Sequence, residues 1–157
     1  MSATFAWVEY LATAGDTATP TNLNFGSTIS ANLVPSTYPI TAGENSYEKW
    51  VKAHFSGSFT RIENLQFWKS AGDYVPHEAV SFKVETTYAT PTTLESTTSL
   101  VPTESPASAN VSIGGSMSGS LTATGDSDFI VLQNQIGQDA GPGATNQKTF
   151  SLSYDEI

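Results

Sequence analysis

The sequence predicts an all-β protein, a single antiparallel β-sandwich or jelly-roll-like domain over residues 1–157, and three observations support this. Runs in which apolar and polar residues alternate recur along the chain, the pattern of a strand with one face buried. Gly, Pro, Asn and Asp punctuate these runs at short intervals, and no stretch of about ten residues or more carries the amphipathic pattern of a helix. Only 13% of residues are charged, and Ser, Thr, Asn and Gln fill the gap, covering strand surfaces without like-charge repulsion.

The elements follow in order. Phe5–Leu11 (FAWVEYL) reads as a first strand and Leu23–Phe25 as a short one. Pro20, Gly26, Pro35, Pro39 and Gly43 interrupt residues 12–46 too often for a helix. The segment is therefore an extended, irregular connection that folds over its own sandwich, or an arm that wraps a neighbour. In Tyr47–Phe55, Val51, Ala53 and Phe55 share one face and Lys52 and His54 the other, with Glu48 and Lys49 leaving the start of the strand open. Phe59–Lys69 (Phe59, Ile62, Leu65, Phe67, Trp68) fits neither period; a helix turn or a bulged strand each fits part of it, and a strand is favoured.

The clearest strand is Val80–Tyr88, with Val80, Phe82, Val84, Thr86 and Tyr88 pointing one way. Residues 89–110 are rich in Ser, Thr and Pro, but Leu94, Leu100 and Val101 recur within them and oppose a linker that would split the chain. Ile113–Thr124 alternates weakly, with Met117, Leu121 and Ala123 on one parity. Asp128–Ile136 contains Phe129, Ile130, Val131 and Leu132, a mid-sheet strand buried on both faces at its start and half exposed beyond Gln133. Gly137–Gln147 is a turn or loop, and Phe150, Leu152 and Tyr154, alternating with Ser151 and Ser153, close a sheet. About seven or eight strands account for the chain.

Six Lys and Arg against 15 Asp and Glu give a net charge of −9, which repels phosphate and anionic lipid, so neither nucleic acid nor membrane is an expected partner. With no cysteine, a disulfide framework, a thiolate zinc site and a Cys nucleophile are ruled out. No basic leader or long apolar run marks the chain for secretion or membrane insertion.

No residue is assigned a catalytic, cofactor-binding or metal-binding role, and no enzyme activity or cofactor is expected. His54 lies on a polar strand face and His77 follows Pro76 in a turn, without triad or metal spacing. Asp126 and Asp128, with the more distant Asp139, are a conceivable calcium set, but the loop lacks the terminal Glu of an EF-hand and reads first as a turn. Gly114 and Gly115 form a turn with no phosphate-loop pattern around them. Trp50, Trp68 and Tyr74 are candidates for a sugar-stacking platform, the latter two best placed because they flank the turn Lys69–Asp73; burial in the core is the simpler reading.

The stretch Ile40–Gly72 (ITAGENSYEKWVKAHFSGSFTRIENLQFWKSAG), with the closing Lys148–Ile157 (KTFSLSYDEI), resembles small β-rich virion structural proteins of tailed bacteriophages over about a third of the chain. The resemblance implies a capsid decoration or cement protein on the outer capsid surface, assembled in the host cytoplasm, or else a tail or fibre component. Its partners would be the major capsid protein or other virion proteins, with further copies of itself as an option. The competing expectation from another class is a carbohydrate-binding β-sandwich module.

Overall fold

The alternating runs pair into two antiparallel sheets packed face to face. The computed structural model describes residues 2–97 and 99–157 and contains no helix among them. The elements are β1 (Ala3–Tyr10), β2 (Thr17–Ala18), β3 (Lys49–Gly57), β4 (Ile62–Ala71), β5 (Glu78–Glu85), β6 (Ser99–Leu100), β7 (Ser120–Leu121), β8 (Gly125–Asp126), β9 (Phe129–Ile136) and β10 (Thr149–Glu156). The larger, seven-stranded sheet runs β2-β1-β3-β9-β5-β6, with β8 also on β3, and the three-stranded sheet runs β10-β4-β7.

Period-two alternation aims Val51, Ala53 and Phe55 of β3, Val80 of β5, and Ile130 and Leu132 of β9 inward from the large sheet. Ile62, Leu65 and Phe67 of β4 meet them from the small one. Phe150, Leu152 and Tyr154 of the closing strand complete this layer: the Tyr154 ring sits edge-on to Phe55 at 4.8 Å and Phe150 stacks on Phe67 at 5.8 Å.

Two bulges explain patterns that a simple alternation does not. In β4, the pairing with β10 slips by one residue between Gln66 and Glu63, and Asn64 takes a φ of 55° there. The extra residue moves the inward parity from Ile62 to Leu65 and Phe67, so all three reach the core although their spacing matches no regular period. In the large sheet, the register on β3 changes between β8 (His54 opposite Asp126) and β9 (Val51 opposite Ile130). Ser127 fills the gap by exchanging hydrogen bonds with Ala53: its N–H donates to the Ala53 carbonyl at 2.9 Å and its Oγ accepts the Ala53 N–H at 3.0 Å.

Several expectations change. Leu23–Phe25 forms no strand: Asn22, Asn24 and Asn32 take up local backbone groups, with Asn24 Nδ2 donating to the Leu33 carbonyl at 3.0 Å. The short strand falls instead at Thr17–Ala18. Leu23 and Phe25 still pack on the core and Leu33 is buried, so this part of residues 12–46 lies on its own sandwich. Strand β5 ends at Glu85, because its partner β9 begins at Phe129 directly opposite, and Tyr88 swings to the outer face of the sheet. Burial of β9 continues through Gln133 and Asn134, whose polar groups bond Ser46 and the Leu94 carbonyl as flanking loops close over them. Of Leu94, Leu100 and Val101, Val101 is buried, whereas Leu94 and Leu100 are 74% and 64% exposed. Among the described residues, six strands of eight to ten residues and four of two residues replace the expected seven or eight.

Candidate functional site

Buried polar side chains pin the irregular segments to the two sheets. Glu9 has the same parity as Phe5 and Trp7, and Lys49 the same parity as Val51, so both point inward; their ion pair of 2.7 Å is almost fully buried. Lys49 Nζ also donates to the Ser30 carbonyl at 2.7 Å, which ties the long connection to the sheet. Burial holds the Glu9 carboxyl above its ordinary value, the bond to Lys49 offsetting this only in part.

On the outer face of the large sheet, Trp50, Phe129 and Val131 form a second buried cluster, with Tyr10 and Tyr88 against it. Glu48 anchors its cover: Oε2 accepts the Trp50 indole N–H at 2.9 Å and the Thr92 N–H at 3.3 Å, and Oε1 accepts the Ser96 hydroxyl. A third group lies at the start of β5. Glu78 accepts from Lys148 Nζ at 2.8 Å, from Asn134 Nδ2 at 3.2 Å and from the Val75 N–H at 3.1 Å. The ammonium groups of Lys69 and Lys148 lie 5.1 and 5.3 Å from the centre of the Tyr74 ring. Burial, with the Glu78 charge nearby, pushes the Tyr74 hydroxyl up.

The candidate residues of the sequence separate in space and function. His54 is on the polar face of β3 and its Nδ1 lies 2.6 Å from Asp126 Oδ1, directly across the ladder. Asp128 turns to other partners: Oδ2 accepts from the Ser112 hydroxyl and from the Gly115 N–H at 2.7 Å, fixing the Gly114–Gly115 turn, in which both glycines have positive φ. Asp126 and Asp128 thus serve two structural contacts, and no group of three His, Asp or Glu side chains among the described residues converges as metal ligands would. His77 is exposed in the turn before β5, with its carbonyl accepting the Gly137 N–H at 2.7 Å.

Of the candidate stacking rings, Trp50 is 2% exposed and Tyr74 is engaged by two cations. Trp68 belongs to neither core cluster. It stands on the outer face of the small sheet opposite Ser151, and on either side lie the pairs Gln66–Ser153 (3.0 Å) and Ser70–Ser151 (2.7 Å). Two open, shallow hollows of about 610 and 910 Å³ each have one acidic side chain in their lining, Glu63 in one and Glu156 in the other. A two-carboxylate hydrolytic site needs a facing pair about 5 to 10 Å apart.

Composition and parity held a signal for the polar anchors: Glu9 in FAWVEYL and Lys49 before VKAHF fall on inward positions of otherwise apolar faces. Fold and side-chain arrangement together define an all-β, two-sheet sandwich whose loops are tied down by buried ionic and amide groups. No protein-family model, curated protein or solved structure matches the chain.

Proposed function

We propose that this chain is a non-enzymatic virion structural protein that binds the outer surface of a capsid and decorates or cements it. The observation that carries the reading is how the acidic residues are used. Glu48, Glu78 and Asp128 hold loop backbone and neighbouring side chains in place, giving a stiff platform rather than a set of free reactive groups. The net charge of −9 and the resemblance over Ile40–Gly72 and Lys148–Ile157 support the same reading. Residues 12–46 supply the contact: Leu33 anchors the segment, while Val34 and Tyr38 beside it are 56% and 42% exposed and offer an apolar crest.

The test is co-sedimentation with capsids of the source virus, using the wild-type chain and the pair Val34→Asp, Tyr38→Asp. Point variants are sharper than deleting the first 45 residues, which would remove β1 and leave Lys49 buried without Glu9. Saturable binding that the pair weakens supports the reading; absence of binding by folded wild-type protein overturns it.

One observation favours a second reading, a carbohydrate-binding module. Trp68, ringed by the hydroxyls of Ser70, Ser151 and Ser153 and the amide of Gln66, has the makings of a flat saccharide platform. A glycan array probed with wild-type protein and Trp68→Ala decides it: this reading requires a signal that the variant loses.

A further inference from the structure

Among the described residues, three of the four strands that end a sheet have two residues each: β2 and β6 in the large sheet and β7 in the small one. Such short edges offer little to a foreign strand. The fourth, β10, has eight residues, and from Thr149 to Tyr154 it carries no charge and no proline. Between the register irregularities at its two ends, this stretch has neither the charges nor the prolines by which sheet edges avoid pairing with other chains.

The direction of its backbone groups follows from its neighbour. Phe67, opposite Leu152, gives its N–H and C=O to the side-chain amide of Asn110 on the far side of β4, at 2.7 and 2.8 Å. Lys69, opposite Phe150, gives its N–H to the Pro102 carbonyl, and Leu65, in the bulge facing Tyr154, gives its carbonyl to the Asn110 N–H. Opposite residues whose groups point away from each other form the non-bonded pairs of an antiparallel ladder. The N–H and C=O groups of Phe150, Leu152 and Tyr154 therefore point out from the sheet, and no partner for them occurs among the described residues.

The sequence of that edge is self-complementary. Phe-Ser-Leu-Ser-Tyr reads as aromatic, Ser, Leu, Ser, aromatic from either end about Leu152. We propose that β10 is a self-association edge, pairing antiparallel with β10 of a second copy about a two-fold axis at Leu152 and fusing the two small sheets into one. In this register Leu152 bonds its counterpart and Phe150 bonds Tyr154 of the second copy, so all the outward groups are used. Apolar side chains meet apolar ones on the inner face and Ser151 meets Ser153 on the outer. Asp155 falls opposite Thr149, so no like charges face each other across the junction.

Sedimentation of the full chain, over a concentration series at about 0.15 M salt to screen the net charge of each copy, tests the idea. The wild type should show a monomer–dimer equilibrium, and the pair Ser151→Lys, Ser153→Lys, which sets lysine against lysine across the axis, should stay monomeric. A second measurement does not depend on those lysines being tolerated. An oxidised equimolar mixture of Ser151→Cys and Ser153→Cys chains should cross-link faster than either alone, since directly opposed non-bonded pairs lie about 4.5 Å apart between Cα atoms, within disulfide reach. A wild type that is monomeric throughout, a dimer that the lysine pair leaves intact, or cross-linking of the mixture no faster than of the single variants would each overturn the proposal.

Discussion

Asn110 offers its side-chain amide to the backbone of Phe67 as a neighbouring strand would: Oδ1 accepts the Phe67 N–H at 2.7 Å and Nδ2 donates to the Phe67 carbonyl at 2.8 Å. This contact, with the bonds from Leu65 to the Asn110 and Val111 N–H groups and from Lys69 to Pro102, extends the edge of β4 beyond the short β7. The Ser/Thr/Pro-rich segment and the residues after it thus serve as an irregular edge strand. Replacing Asn110 by Ala strands two polar groups of a fully buried residue, and we expect a loss of about 3 kcal/mol in denaturant unfolding. A loss below about 0.5 kcal/mol would show that solvent replaces the amide at this edge.

The Glu9–Lys49 pair should behave as a buried couple rather than a surface bridge. Removing either partner alone, as in Glu9→Leu or Lys49→Met, leaves an uncompensated buried charge and should cost about 3 to 5 kcal/mol, whereas the double change should cost less than either. The pH dependence has a definite sign. Burial raises the folded-state pKa of Glu9 above its unfolded value, so the folded state holds the proton more tightly. The contribution of Glu9 to stability is fully present below the unfolded value and declines as pH rises through the folded one. Across that window the stability difference between wild type and Glu9→Gln should shrink as pH rises; a difference that grows would reverse the assignment.

Asn64 occupies the left-handed region at a φ of 55°, and its Nδ2 donates to Asp155 Oδ2 at 3.0 Å. A β-branched residue tolerates this conformation poorly, so Asn64→Val should cost about 1 to 3 kcal/mol, and Asn64→Gly distinctly less. Deleting Asn64 is a different perturbation. It would leave Ile62 and Leu65 two positions apart, so that a continuous alternation keeps both on the inner face, and circular dichroism should report a retained β-sheet fold; failure to fold would show that the bulge itself is required.

Glu48→Ala should release the cover of the outer aromatic cluster without dismantling the sandwich. Hydrogen exchange is expected to rise at the Thr92 amide, and Trp50 emission to shift to the red as water reaches the indole. Unchanged exchange would mean that buried Pro91 and Thr97 hold that segment by packing alone.

The tryptophans should separate cleanly in stability. Trp50→Ala empties a buried site and should cost about 3 to 5 kcal/mol, while Trp68→Ala, outside both core clusters, should cost under about 1 kcal/mol. Comparable losses at both positions would place Trp68 within the packed interior.

The sequence by itself determined the class of the fold and the inward faces of its long strands. Val51, Ala53 and Phe55, then Val80, Phe82 and Val84, then Phe150, Leu152 and Tyr154 were legible because a pleated strand alternates its side chains by local geometry alone. The irregular spacing of Ile62, Leu65 and Phe67 was visible as an anomaly, but only pairing with β10 located its cause at Asn64. Tertiary structure alone decided that Tyr88 crosses to the outer face, that Val101 enters the core while Leu94 and Leu100 do not, and which loop each buried carboxylate holds. Those outcomes depend on partners distant in sequence, such as Glu9 with Lys49 and Glu48 with Thr92, and neither propensity nor periodicity encodes which residues fold back to meet. The sugar-platform candidates illustrate the division: the sequence named three aromatic rings, and packing buried one, set two ammonium groups beside another and left Trp68 among hydroxyls.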